Sequence, residues 1–419
     1  MIVGTALTGL AAVAAAALAT RKGRDTLLGD VDTDWLANEL DFDSLLADNL
    51  TVSLKDGGFM RVFALTGLAY ETRPLNDQEI LAKGRASTFN QFLGHGTVLR
   101  LFGVKRQRDV SFAAEWPSCT LAEIGRAEQQ LYQNAYSLSW YMVVQTRSVG
   151  EMEKAARGFL SGFADYGIRA VEAAPGPDEP CELTSFLNYL VCGEFCHNIA
   201  RVGANISANL PASDLHVSTD GHIEAFVPQT YRHRIIAVRG WPESVSGLLV
   251  SRILALSGEI EVCQIVRTLD STKQIALFTR QITEQKHNFF GTETVLEELE
   301  GVNEDLLTNT HRLQETQFQI CVRAQNNTEL AALTEKIAAI LDNARVRYSI
   351  ETSGAAVAWF NRIPGREKLI RPLRLMEANV AALWPFQFSP IGIWKSPFGS
   401  ASATVSDTPF TAAEPLVAK

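Results

Sequence analysis

LSWYMVVQTR (138–147), VGEMEKAARGFLSGF (149–163) and GIRAVE (167–172) read as strand, helix, strand. QFQICVRA (317–324), NTELAALTEKIAAILDNA (327–344) and RVRYSIE (345–351) read the same way. In each, a short apolar run gives way to apolar residues spaced three and four apart, and a second short run closes the unit. Two units of one kind within a single chain suggest that the whole chain is built on an internal repeat.

Working outward, the order upstream of each unit also matches. Ahead of the first, Leu50–Leu54 and Phe59–Leu68 form a hairpin around the Asp56-Gly57 turn. A helix over Asn76–Leu93, a strand over Thr97–Val104 and a helix over Leu121–Asn134 follow. Ahead of the second, Arg234–Arg239 is a strand, and Pro242 opens a helix running to Leu256. Ile260–Val266 is then a strand, and Ser271–Glu315 a long polar helical stretch. The order fits an α+β chain with two ferredoxin-like (split βαβ) modules in tandem, joined by connecting helices. The expected divisions are an Ala-rich hydrophobic helix (1–24), an acidic linker (25–49) and the first module (50–175). After these come a connecting helix and loops (176–230), the second module (231–355), an aromatic and basic segment (356–398) and an unstructured tail (399–419).

At 419 residues the chain exceeds one ordinary core. A net charge of −9 without a long basic stripe argues against nucleic acid as a direct partner. Six dispersed cysteines are too few for a disulfide scaffold and suit a reducing compartment. Residues 3–20 carry no charge and precede Arg21, Lys22 and Arg24. The stretch reads either as a helix that contacts or enters a membrane, with the bulk of the chain on the cytoplasmic side, or as an exposed, frayed leader. Between Asp25 and Leu50 stand eight acidic residues and no basic ones, a stretch that reads as one or two short helices or a solvated linker.

The motifs of catalysis are missing. A P-loop needs Gly-x-x-x-x-Gly-Lys-Ser/Thr, because backbone N–H groups and a lysine must converge on phosphate. Here the only lysine before Ser or Thr is Lys395, and Trp394 occupies the place of the glycine. There is no Gly-x-Ser-x-Gly elbow and no His-Glu-x-x-His. Cys192-x-x-x-Cys196-His197, with Cys181 upstream, lacks the usual zinc-knuckle spacing and reads as buried structural cysteine. His95, His222, His233, His287 and His311 have no triad-like neighbours in sequence. No catalytic, metal or cofactor residue is therefore expected. Arg362, Arg366, Lys368, Arg371 and Arg374 are five cations against one acid, a candidate interaction surface for phosphate, an acidic neighbour or a nucleotide edge, or else a plain solvated loop.

Three stretches carry a resemblance. They are Leu54–Phe63 with Leu65 and Gly67-Leu68, then Arg232–Arg234 through Trp241-Pro242 to Leu256, then Ala358–Gly365 with Asn379–Leu383. In this order and spacing, over roughly Leu50 to Phe410, they resemble the CagE/TrbE/VirB family of ATPases that energise type IV secretion and conjugation. The resemblance implies a domain at the cytoplasmic face of the bacterial inner membrane. Its implied partners are inner-membrane subunits of the secretion complex, sister subunits and a P-loop ATPase subunit, in a homo- or hetero-oligomer. In that family a motor domain with Walker motifs follows. Phe398-Gly399 and Asp407–Phe410 stand here instead, so the expectation is a non-catalytic part that meets ATP only through a motor it does not contain. The alternatives are a truncated ATP-binding secretion protein, or a membrane-anchored interaction protein unrelated to secretion.

Overall fold

The computed structural model describes residues 35–388, apart from 70–73, 108–109, 112–117, 132–134, 197, 211–212, 227–228, 243, 245, 287–292, 309–310 and 367, together with 404–405. The expected helix at 1–24 and nearly all of the tail lie outside the described residues.

The first half contains β1 (Phe42–Leu45), β2 (Thr51–Leu54), β3 (Phe59–Leu65), α1 (Leu75–Phe92), β4 (Val98–Gln107), β5 (Val110–Ser111), α2 (Cys119–Leu131), β6 (Tyr136–Thr146), α3 (Val149–Gly162) and β7 (Ile168–Ala170). The connection holds α4 (Glu182–Cys192), α5 (Ile206–Asn209), β8 (Leu215–Val217) and β9 (Ile223–Ala225). The second half holds β10 (Tyr231–Gly240), α6 (Gly247–Ala255), β11 (Glu259–Thr268), α7 (Ser271–Lys286), α8 (Glu293–Leu307), β12 (Leu313–Ala324), α9 (Asn327–Asn343) and β13 (Arg347–Ile350). It is followed by α10 (Ala355–Asn361), β14 (Leu373–Met376), α11 (Glu377–Leu383) and β15 (Thr404–Val405).

Thirteen strands form one antiparallel sheet. In the first half β7 pairs with β3, β3 with β6 and β6 with β4; in the second, β13 pairs with β10, β10 with β12 and β12 with β11. The halves meet where β4 pairs with β11, from Val98↔Arg267 to Lys105↔Ile260. The closing helices start alike: Ser148 Oγ accepts from the Glu151 N–H at 3.3 Å, and Asn326 Oδ1 from the Glu329 N–H at 2.9 Å. Each side chain satisfies a donor that the first helical turn leaves open.

Alternation along the strands supplies two cores, one per face. Trp140, Met142 and Val144 enter one with Phe89 of α1, Phe159 of α3, Ile253 of α6 and Ile337 of α9. Tyr141 and Val143 enter the other with Phe186 and Leu190 of α4 and Trp359 of α10. The first core depends on Gly103, which pairs with Trp140; a Cβ there would lie 2.5 Å from Trp140 Cζ3. Trp384 meets the same indole edge-on at 5.9 Å.

Several boundaries differ from the sequence reading. Part of the acidic stretch is a 3-10 turn (Leu36–Glu39) and strand β1, which pairs with β2; of its acidic side chains Glu39 is buried and paired with Arg366, while Asp43 is exposed. The helix assigned from Pro242 begins only at Gly247. The single helix over Ser271–Glu315 is two helices packed together, and Leu313–Glu315 belongs to β12, held there by pairing with β11 and β14. The 176–230 connection contributes strands β8 and β9. The segment from 356 is integral to the sheet's two coats: α11 packs on α1 and α6, one from each half. No helix among the described residues is long and apolar enough to cross a membrane.

Candidate functional site

At one end of the β4–β11 seam the strands part and open a cleft of about 1080 Å³. Both halves line it: Arg106 of β4, Arg126 of α2 and Tyr136 of β6 from the first, Glu259 of β11, Arg323 of β12 and Lys336 of α9 from the second. The floor is charged. Arg323 Nη1 donates to Glu259 at 2.6 Å and Nη2 to Glu194, while its guanidinium lies 3.4 Å from the Tyr231 ring centroid. Burial raises the pKa of Glu194, and Glu259 adds to the effect, while Arg323 and Arg106 oppose it.

Glu194 sits in a turn that leaves α4 through Gly193, in the left-handed conformation (φ 76°) that glycine adopts without strain. A side chain at 193 would also collide with His233 Nε2. The next residue, Phe195, stacks on Tyr189 at 4.2 Å with an 8° interplanar angle. Arg106 Nη2 reaches the Tyr189 hydroxyl and the Gly193 carbonyl, both at 3.3 Å.

Beneath the floor, Glu261 of β11 is closed off from solvent. Arg362 Nη1 donates to both of its oxygens, at 3.0 and 2.8 Å, and the Tyr189 hydroxyl donates to it as well. Arg362 Nη2 also donates to the Leu190 carbonyl at 3.0 Å, and its guanidinium lies 3.8 Å from the Trp359 ring centroid. Burial and Glu261 raise the Tyr189 pKa well above 10. Across the seam, Lys105 Nζ donates to the Leu254 carbonyl at 2.8 Å and to that of Leu256, satisfying carbonyls at the end of α6 with a cation.

The five cations singled out in sequence do not form one patch. Arg362 is fully buried in the lock just described. Arg366 pairs with Glu39, and Arg371 Nε donates to Glu351 at 2.9 Å. Lys368 and Arg374 are exposed. They diverge because α10 ends at Asn361 and the chain turns before β14, so neighbours in sequence face different elements. Conversely, Arg106, Arg323, Glu194 and Glu259 escaped notice. The signal available was a charge within or beside an apolar strand run, as in EIEVCQIV (259–266) and QFQICVRA (317–324).

The cysteines serve local roles. Cys181 Sγ accepts the Thr184 N–H at the start of α4, at 3.5 Å. Asn188 Nδ2 donates to Cys192 and Cys196, each at 3.2 Å; His197 lies outside the described residues. Among the described residues no three His, Cys, Asp or Glu side chains converge as a metal site. His222 does have serine and carboxylate neighbours, Ser218 at 2.8 Å and Glu224 at 3.3 Å. Ser218 Oγ, however, also accepts the His222 N–H at 3.1 Å and pairs with Asp220, so it holds the β8–β9 turn.

A search among curated proteins gave no match. A family model does match: that of the CagE, TrbE, VirB family, component of type IV transporter system, over residues 179–371. The match takes in the Arg232–Leu256 and Ala358–Gly365 stretches that carry the resemblance, and leaves out the opening hairpin and Asn379–Leu383. It also holds Glu194, Glu259, Arg323 and both partners of the Glu261–Arg362 lock. Residues 179–371 of this chain, a little under half of it, are thus similar to the CagE, TrbE, VirB family.

Proposed function

We propose that this chain is a non-catalytic docking part of a type IV secretion or conjugative transfer ATPase assembly. It joins inner-membrane subunits and sister subunits on the cytoplasmic side and leaves ATP hydrolysis to a P-loop partner. The matching strand order of the two halves supports reading them as tandem ferredoxin-like modules that serve as a rigid platform. The observation that carries the docking reading is the cleft: it is lined from both halves, floored by a braced Arg323–Glu194–Glu259 cluster and rimmed by the exposed Arg126 and Lys336. Such a surface, with aromatic walls from Tyr136 and Tyr231 and a charged rim, matches the anatomy of protein interfaces.

The test is co-purification of the chain with separately produced inner-membrane and ATPase subunits of a type IV system. Arg126→Glu and Lys336→Glu should abolish capture while leaving the unfolding curve unchanged. Capture that survives both substitutions rejects the cleft as the docking site. ATP turnover by the purified chain above background rejects the non-catalytic reading.

A further inference from the structure

At the opposite end of the same seam from the cleft lies a second cavity, of about 530 Å³. Its walls are bare backbone at Gly57, Gly58, Gly96 and Gly365, with the side chains of Arg147, Arg267 and Arg366 around them. A Cβ at Gly96 would meet Arg147 Nε at 3.2 Å, so glycine there lets the guanidinium lie close across the turn.

The charge balance of the walls is uneven in a specific way. Arg267 is matched by Glu315 and Arg366 by Glu39. Asp56, the one carboxylate in the wall, turns inward and accepts the Gly58 N–H at 2.9 Å. Asp41 lies against Gly365, and burial, then Asp56, raises its pKa. Arg147 has no ion-pair partner among the described residues, nor has Arg100 behind the wall.

Arg100 is fully buried on β4. It donates only to neutral oxygens: Nη1 to Gln145 Oε1 at 2.9 Å and Nε to the Asn361 carbonyl at 3.3 Å. Gln145 itself lines the cavity. Desolvation pulls the Arg100 pKa down to about 10. Asp41 offsets part of that shift from a distance, but no carboxylate among the described residues hydrogen-bonds to Arg100, and a buried guanidinium so placed favours a further anion in its surroundings.

We propose that this cavity binds a small phosphate-bearing molecule. Arg147, Arg267 and Arg366 contact its oxygens, the glycine backbones admit it closely, and Arg100 supplies buried positive charge behind Gln145. Guanidinium forks suit phosphate geometry, and the volume exceeds that of phosphate alone, leaving room for an attached organic group. The inference is independent of the docking reading.

Pyrophosphate is the probe, titrated into the full chain by calorimetry and by thermal melting at constant ionic strength. Saturable binding with a rise in Tm is expected, where matched chloride has no effect. Arg147→Gln and Arg267→Gln should each weaken binding at least tenfold. Arg147 is exposed, so its replacement leaves the fold intact. Arg126→Gln, in the other cleft, should bind as the wild type does. No effect beyond chloride, wild-type binding in both the Arg147 and Arg267 variants, or loss of binding in the Arg126 variant would overturn the proposal.

Discussion

Arg362 and Glu261 face each other with no access to solvent, one guanidinium nitrogen bridging both carboxylate oxygens at 3.0 and 2.8 Å. The pair joins α10 to the strand at the seam. Tyr189 and the Leu190 carbonyl complete it from α4, so three elements are fixed by one ionic contact.

Breaking that contact from one side leaves a buried charge alone. Arg362→Met should destabilise the chain by about 3–5 kcal/mol, because the remaining carboxylate loses its counter-charge without regaining water. Replacing both, as Arg362→Met with Glu261→Met, should recover much of the loss. Urea unfolding followed by fluorescence measures both; a single variant within about 0.5 kcal/mol of the wild type would contradict the assignment.

Gly103 is required by the indole stacked over it. Gly103→Val should cost about 1–3 kcal/mol through overpacking, and should alter the near-ultraviolet dichroism of Trp140. Unchanged stability and spectrum would show that the two residues do not meet as described.

His233 gives the chain an acid-side pH dependence. Burial, then the charges of Arg323, Arg106 and Arg362, hold its pKa well below 6.5. The unfolded chain therefore takes up a proton that the folded one refuses. This contribution to stability is complete above about pH 6.5 and falls as pH decreases, by about 1.4 kcal/mol per unit, until the folded pKa is reached. His233→Gln should flatten the fall in the urea midpoint between pH 7 and 5.5. An equal slope in wild type and variant would assign the dependence to other groups.

Thiol reactivity should sort by exposure. Cys119 is exposed, Cys196 half-buried, and the other four buried. Burial, with Cys192 and Glu194 nearby, pushes the Cys196 thiol up to about 11. An aromatic disulfide reagent at pH 7.5 should therefore titrate one thiol quickly, and Cys119→Ser should remove that phase. Cys196 should respond only as pH rises, and the buried four only in denaturant. Two fast thiols at pH 7.5 would contradict this.

The strands of the repeat were legible because their side chains are buried on one or both faces and their apolar runs are continuous. The caps at Ser148 and Asn326 were shown by the structure, while the closing helices could be read from spacing. Strand β1 could not be, because its pairing with β2 is a backbone interaction to which the acidic side chains of that stretch give no clue. The break in the long polar stretch was missed although the charge changes sign across it, from the net basic α7 to the wholly acidic α8; that the two helices fold back on each other is a tertiary contact. The candidate site was the least legible part. Arg362, Arg366, Lys368, Arg371 and Arg374 are close in sequence, yet a helix end and a turn send them to separate places.

Local patterning thus determined that this chain alternates strands and helices twice over and carries no phosphate-gripping lysine loop, because those properties depend on residues adjacent along the backbone. Only the tertiary structure decided that β4 and β11 zip the halves into one sheet, that Glu261 finds Arg362, and that cavities open at both ends of the seam. Those outcomes depend on which distant groups share a dielectric and a hydrogen bond, and sequence spacing carries no record of that distance.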